Sequence, residues 1–499
     1  MRRTLLPVLA LSFLAGQPGA TWSIVCVNTK TREVGVATAT CLTNFNIRTG
    51  VPVIYVGEGA AAAQSFLDSF GNNRRRIFNA FRDTEKTPAE ILAELADRDR
   101  DHRTRQYGIV NFTGDPVTFT GTSAGLARFG VAGSVGDFRY AIQGNVLTGN
   151  EVVLAAELAF RTAKGDMGQR LIAAMEGARK LGGDGRCSCA PATPTACGVP
   201  PASFTKSAHC GTVLVARVGD ENGGCDSTQG CATGDYYLAL NVRGGPNDPD
   251  PVFVLERVYG HWRTRMEGRP DGVLSRVGGV KGLPNDGVTE RRVTVELFDL
   301  DERRIPHGGA LLTVETVDGL PSISTVGPVT DLGDGRYQFQ VRAGFDVGTD
   351  RYFVRILDAN PADASDVVRA TLHPILEFPS IAVPLYASDE RVPAARGGRL
   401  AFVLNQPDQP DAPYVLVARL GAATRSLPSA RLAGATVLPL AQRPFFPAGP
   451  LRLDGRGRAE AALEVPPGVL EPLIGRSLEV TGYVLGGLAT NTVALVVEP

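Results

Sequence analysis

The sequence predicts an α+β protein, with sheets covered by helices in the first half and all-β modules in the second. Three observations carry this. From Thr21 to about Val242, short strand patterns alternate with capped helical patterns. After about residue 285 the helical periodicity disappears, and short strands recur between glycine turns. Between the halves lies a Gly- and Pro-rich stretch, 268–287. A chain of 499 residues admits about three domains at ~150 residues each.

In chain order, Arg2-Arg3, the apolar run Leu5–Leu14 and the small residues Gly16–Ala20 form a secretory-signal pattern. The expected location is therefore secreted or periplasmic, with cleavage after Ala20. The run is too short to span a bilayer, and no membrane span is expected later. Thr21–Val27 and Glu33–Thr40 read as two strands joined by the polar turn 28–32, a hairpin that brings position 21 near Thr40 and Cys41. Thr87-Pro88-Ala89-Glu90 is a capping box opening a helix with apolar Ile91, Leu92 and Leu95. Strands follow at 107–112, 116–121 and 139–144. Asn150 is placed to cap EVVLAAELAFRTAK, and GQRLIAAMEGARKL stops at Gly182-Gly183. Two more strands, Thr212–Val218 and Tyr236–Val242, close the first half. The runs Arg74-Arg75-Arg76 and Asp97–Arg105 read as solvated helix faces. RRVTVELFDLD, ALLTVETV, GRYQFQVRA and DRYFVRILD form an expected β-sandwich at 288–374, and 375–499 forms a second β-rich module.

Composition narrows the function. With 51 basic and 52 acidic residues the net charge is -1, which offers no field for nucleic acid. No G-x-G-x-x-G sits between strand and helix, and no cofactor is expected. Cys187, Cys189, Cys197, Cys210, Cys225 and Cys231 crowd into an insertion at 187–231. In an exported loop they read as disulfides, with fifteen pairings open. The rival is a zinc site that also uses His209, but the C-x-C and C-x5-C spacings do not fit, and no metal is assigned. Cys26 and Cys41 read as buried thiols.

A threonine that starts a strand and becomes the first residue of the mature chain carries hydroxyl and α-amine together. The amine, with a pKa of about 7.7–8.0, can serve as the base that activates the hydroxyl. The plainer reading of Thr21 is a strand residue chosen by β-propensity. Likewise Gln143-Gly144-Asn145, after a strand, could donate to an oxyanion or form an ordinary glycine turn.

The stretches TWSIVCVNTKTREVGVATAT, GVPVIYVGEGAAAAQS, RQYGIVNFTGDPVTFTG, YAIQGNVLTGNEVV, QRLIAAMEGARKLGGDGR and SAHCGTVLVARV, in that order, resemble a bacterial family catalogued as domain of unknown function 1028 and placed among the N-terminal-nucleophile hydrolases. The resemblance runs from Thr21 to about Leu255. It implies a four-layer α-β-β-α sandwich over 21–267, with Thr21 in the cleft; Gly144 and Asn145 are then the expected oxyanion donors, and Gln64 and Arg105, which recur in the family pattern, are expected with Gln143 on the substrate side. It also implies an amide- or peptide-bond hydrolase acting on a small amide or peptide. Two departures stand out: the family's uninterrupted GGD-x-RG-x-QSAA run is broken here by the cysteine insertion, and its acidic run appears as ALNVRGGPNDPDP. The C-terminal modules resemble immunoglobulin-like modules of bacterial adhesins, which implies a cell-surface partner. The competing expectation is a non-catalytic surface or binding protein that keeps the fold as a scaffold.

Overall fold

The computed structural model describes residues 21–381 except 69, 84, 286, 288 and 320. Beyond 381 it describes 385–387, 391–393, 395–396, 398–406, 411–423, 444–445, 451–454, 457–465, 467, 471, 474, 476–484 and 489–499. The signal reading of residues 1–20 lies outside the described residues.

The chain divides into two compact units. The first comprises the described residues up to Leu274 with Phe298–Arg303 and Ile356–Pro374, and the second holds the remainder. The first unit is mixed α and β, and the second is built from β-sheets.

The first unit begins with β1 (Thr21–Asn28) and β2 (Val34–Thr40), an antiparallel hairpin in which Thr21 faces Thr40. Its turn is held by the Asn28 side chain, which accepts the N–H groups of Lys30 and Thr31, while Arg32 takes a left-handed φ of 55°. The short α1 (Ile47–Gly50) leads to β3 (Pro52–Tyr55) and β4 (Gly59–Ser65), then to α2 (Asn72–Asp83) and α3 (Pro88–Arg98). The capping box at Thr87 and Glu90 forms as its sequence requires. Next come β5 (Arg105–Asn111), β6 (Val117–Thr120), β7 (Phe129–Val135) and β8 (Phe138–Asn145). After them run α4 (Glu151–Thr162), α5 (Met167–Lys180), α6 (Gly185–Ser188), β9 (Cys210–Ala216), β10 (Leu238–Val242) and α7 (Pro251–Met266). Asn150 sits at the cap position of α4, but its side chain makes no cap bond and its backbone is already helical. Asp166, not a glycine, opens α5 with a capping box through Gln169.

Two sheets result, ordered β10-β9-β2-β1-β8-β7 and β3-β4-β5-β6. Alternation along β1 sends Trp22, Ile24 and Cys26 into a cluster with Val153, Phe160, Leu171 and Met175 of α4 and α5. Val25 and Val27 enter a separate cluster with Ile54, Ala60 and Ala62 of the other sheet. On the far side of that other sheet, Ile77 and Phe81 of α2 and Ile91 and Leu95 of α3 pack on Ala61 and Ile109. Arg74 does not follow the solvated-face reading. It is buried and donates to the Thr49 carbonyl at 2.5 Å, because α2 turns this residue inward beside Ile77 and Phe78.

The start of the Gly- and Pro-rich stretch is bonded into the first unit. Asp271 is buried, receives Arg217 at 2.7 Å and the Tyr237 hydroxyl at 3.0 Å, and its N–H donates to the Phe298 carbonyl at 2.8 Å. Arg217 also reaches Glu33 at 2.7 Å. Arg265 and Arg269 pair with Asp366 at 2.7 and 3.2 Å, tying α7 to the segment 356–374.

In the second unit, Glu290–Glu296 pairs antiparallel with Arg336–Arg342 and buries Val293, Val295, Tyr337, Phe339 and Val341 on alternate positions. Pro413–Ala423, Arg476–Val484 and Ala489–Glu498 are antiparallel neighbours in a further sheet.

Candidate functional site

Thr21 opens a central strand with a partner on each side: Thr40 of β2 and Asn145 of β8 face it across the ladders. Its side chain belongs to the set that alternates toward the second sheet, together with Ser23, Thr38, Gln143 and Asn145. From the facing sheet, β4 and β5 present Gln64 and Gln106, which are themselves register partners. All of these are buried, Thr21 at 3% exposure. A group of neutral polar side chains therefore lies between two sheets whose deeper layers are aliphatic.

Burial forces these groups to bond to one another. Ser23 Oγ donates to Gln64 Oε1 at 2.5 Å and lies 2.8 Å from Thr38 Oγ1, which itself donates to the Trp22 carbonyl at 2.9 Å. Gln64 Nε2 donates to the Thr21 carbonyl at 2.9 Å and to Gln106 Oε1 at 2.8 Å. Gln106 Nε2 in turn donates to Thr120 Oγ1 and the Gly144 carbonyl, each at 2.9 Å. The Thr21 hydroxyl makes no hydrogen bond among the described residues. Gln143 is also unpaired there: both atoms of its amide are buried without a partner. Gly108 makes room for it, since a Cβ at that position would stand 2.2 Å from Gln143 Oε1.

Asn145 Nδ2 donates to the Ala124 carbonyl at 3.0 Å and to Ser65 Oγ at 3.3 Å. Two residues beside the group hold a left-handed backbone: Ser65 at φ 77°, next to Gln64, and Val146 at φ 53°, next to Asn145. For a β-branched valine this conformation is costly, and such strain collects at functional sites. Arg105 is turned away into an ion pair with Asp99 at 2.8 Å and a bond to the Phe66 carbonyl at 2.6 Å. Asp99 bonding holds its guanidinium above its ordinary pKa despite burial.

The rim is fixed covalently. Cys41 bonds to Cys187, Cys189 to Cys197, and Cys225 to Cys231, whereas Cys26 and Cys210 are free and buried. This corrects the expected set of six, in which Cys210 was paired and Cys41 was a thiol. Cys210 opens β9 directly opposite Thr40, enclosed in the ladder, while Cys41 lies just past the end of β2, where the insertion can reach it. The Cys41 N–H donates to Asp184 Oδ2 at 2.8 Å, and Asp184 also binds Arg186 at 2.9 Å. Ligand atoms of Cys41, Cys187 and His209 lie within 4.8 Å of one another, but a disulfide supplies no thiolate to a metal. Burial lowers the His209 pKa, and burial pushes that of Cys26 far up.

Ser23, Thr38, Ser65 and Gln106 complete this group; from sequence Ser23 reads as a structural hydroxyl and Gln106 as a polar residue beside Arg105 at an element end. Their signal was polarity at every second position near the ends of otherwise apolar strands.

Residues 21–193 match the model of the Family of unknown function (DUF1028). Among solved structures the chain is similar to protein SPO2555 from Silicibacter pomeroyi, itself assigned to that family, at 19% identity over 48% of this chain and 85% of that one, with a TM-score of 0.36. It is also similar to the Yersinia pseudotuberculosis adhesin InvE, at 15% identity over 46% of this chain and 60% of that one, TM-score 0.18. A third similarity is to the Escherichia coli adhesin FdeC, at 13% identity over 98% and 100%, TM-score 0.18. A comparison with curated proteins finds no match. Among the described residues no helix is long and apolar enough to cross a membrane. The family likeness of the chain thus lies in residues 21–193, which match the family of unknown function DUF1028.

Proposed function

We propose that this is an exported hydrolase of amide or peptide bonds that uses Thr21 as an N-terminal nucleophile. The layering of its first unit is read as the α-β-β-α arrangement of that class. The observation that carries the reading is the Thr21 hydroxyl, without a protein partner among the described residues, at the start of a central strand facing a buried cluster of side-chain amides.

Signal cleavage after Ala20 exposes the α-amine. Surrounded by neutral amides rather than carboxylates, that amine gains no charge partner, and burial keeps it in its basic, unprotonated form. It takes the proton from Oγ as the oxygen attacks the substrate carbonyl carbon, and it returns the proton to the departing amine. Water then hydrolyses the ester left on Thr21, with the amine again acting as base. The Gly144–Asn145 segment lies opposite the nucleophile, on the side where the oxyanion forms. Both Asn145 amide protons are engaged by Ser65 and Ala124, so Gln143, whose amide has no partner among the described residues, completes the donor set. Gln64 orients Thr21 through its carbonyl. Arg105 acts one step further out, holding the end of β5 through Asp99. The β-rich segments 288–374 and 375–499, beyond the stretch 268–287, serve attachment or contact with a cell-surface partner.

The test is N-terminal sequencing of the exported protein, followed by mass spectrometry after treatment with a threonine-directed electrophile. Thr21 as first residue, carrying an adduct that Thr21→Ala abolishes, supports the reading. A mature chain beginning elsewhere, or an equal adduct on the alanine variant, overturns it and leaves the scaffold role.

A further inference from the structure

Away from Thr21, the first unit holds a second cleft, of about 420 Å³. Its size falls within the range of small-ligand sites, roughly 300–1,000 Å³. Tyr55, at the end of β3, and the buried Phe78, on α2, line its base, their rings edge to face with centroids 5.2 Å apart. One turn before and after Phe78 on the same helix face, Arg75 and Arg82 bring two guanidinium groups to the cleft. The opposite wall is the segment Asn222–Cys225.

That wall is preformed. The Cys225–Cys231 disulfide closes it, the Cys231 carbonyl accepts the Ile54 N–H at 2.9 Å, and Asn222 Oδ1 accepts the Val56 N–H at 2.8 Å. Asn222 therefore keeps its amide protons for the cleft. A Cβ at Gly224 would meet nothing within 4 Å, so backbone is bare on this wall. Among the described residues no carboxylate lines the cleft. The neighbouring acids leave part of the positive charge unmatched: Asp83 engages Nε and Nη2 of Arg82 but not Nη1, and Arg75 is bonded to the neutral Asn72 at 2.5 Å while Asp226 lies close enough to feel its charge.

From this arrangement we propose that the cleft binds a small carboxylate carried on a ring, the ring packing against the Tyr55–Phe78 pair and the carboxylate on Arg75 and Arg82. An acidic sugar and an aromatic acid share this chemistry. A planar guanidinium fork matches a carboxylate, and an aromatic ring offers its face to either kind of ring.

Isothermal titration and ligand-observed NMR on the purified full chain would use glucuronate and benzoate as probes, with glucose and benzamide as uncharged controls. At least one acid should bind with a Kd of about 0.1–1 mM, and which one binds separates the sugar from the aromatic source. The Arg75→Ala/Arg82→Ala variant should weaken that binding by at least about tenfold, while Thr21→Ala leaves it unchanged. Because both arginines are exposed, their loss should not disturb folding, and circular dichroism checks this. Equal binding of the uncharged controls, an unchanged affinity in the double variant, or no binding of either acid at about 10 mM would overturn the proposal.

Discussion

Gln64 Nε2 reaches across from the second sheet to the carbonyl of Thr21, 2.9 Å away, while the same side chain takes the Ser23 proton on Oε1. One amide thus holds two alternate residues of the first strand. Gln64→Leu would leave the Thr21 carbonyl, the Ser23 hydroxyl and Gln106 Oε1 without this partner in a dry space. The expected loss of stability is about 3 kcal/mol, read from urea unfolding midpoints. A loss below about 0.5 kcal/mol would mean that the network contributes little.

Thiol counting on the denatured, unreduced protein should find two free thiols, Cys26 and Cys210. The three bridges should differ in worth. Cys41 and Cys187 are 146 positions apart and Cys225 and Cys231 only 6, which chain entropy converts to about 5 and about 2 kcal/mol. Alanine pairs at the two sites, compared by thermal unfolding, should keep that order.

Asp220 provides a pH dependence. Burial raises its pKa from 3.8 to about 6, against the pull of the Arg217 and Tyr237 N–H groups. A raised acid pKa means that the folded chain holds the proton more tightly than the unfolded one. Its stabilising contribution is therefore complete below pH 3.8 and is lost as pH rises through about 6. The difference amounts to about 3 kcal/mol. Asp220→Asn should gain on the parent chain by that order between pH 4 and 7 in denaturant midpoints, and parallel curves for the two chains would refute the assignment.

Gly183 has a φ of 58°, and a Cβ there would stand 2.7 Å from the Trp22 ring. Gly183→Ala should cost about 2 kcal/mol from backbone strain and displaced packing. Since Trp22 is one of 2 tryptophans, a changed indole emission should accompany the loss.

The sequence made legible those features whose cause is local. The turn at 28–32, the capping box at Thr87 and the stop at Gly182-Gly183 each depend on residues within one turn of chain, and each stands where its residues require. Ala60–Ala63 of β4 carry no period-2 contrast, because both faces of that strand are covered, so only long-range packing marks it. Arg74 looked like its exposed neighbours because charge runs do not reveal which residue a helix turns inward. The cysteine pairing failed for a related reason: density in sequence suggested six partners, whereas the end of a strand 146 positions away supplied one of them. The polar cluster around Thr21 is half visible in the sequence, since Gln64, Gln106, Gln143 and Asn145 stand out as polar residues at strand ends, but the face that unites them with Ser23 and Thr38 exists only once two sheets oppose.

The strand β1, earliest of the described strands in chain order, occupies the middle of its sheet. Its second neighbour, β8, begins at Phe138, and the next layers outward, β9 and β10, begin at Cys210 and Leu238. The unit then borrows Ile356–Pro374 from far downstream. During synthesis β1 must therefore remain unsatisfied along one edge until more than a hundred further residues have appeared, and the unit as a whole cannot close until Pro374 has been added. The centre of the unit is thus the part that waits longest for its partners.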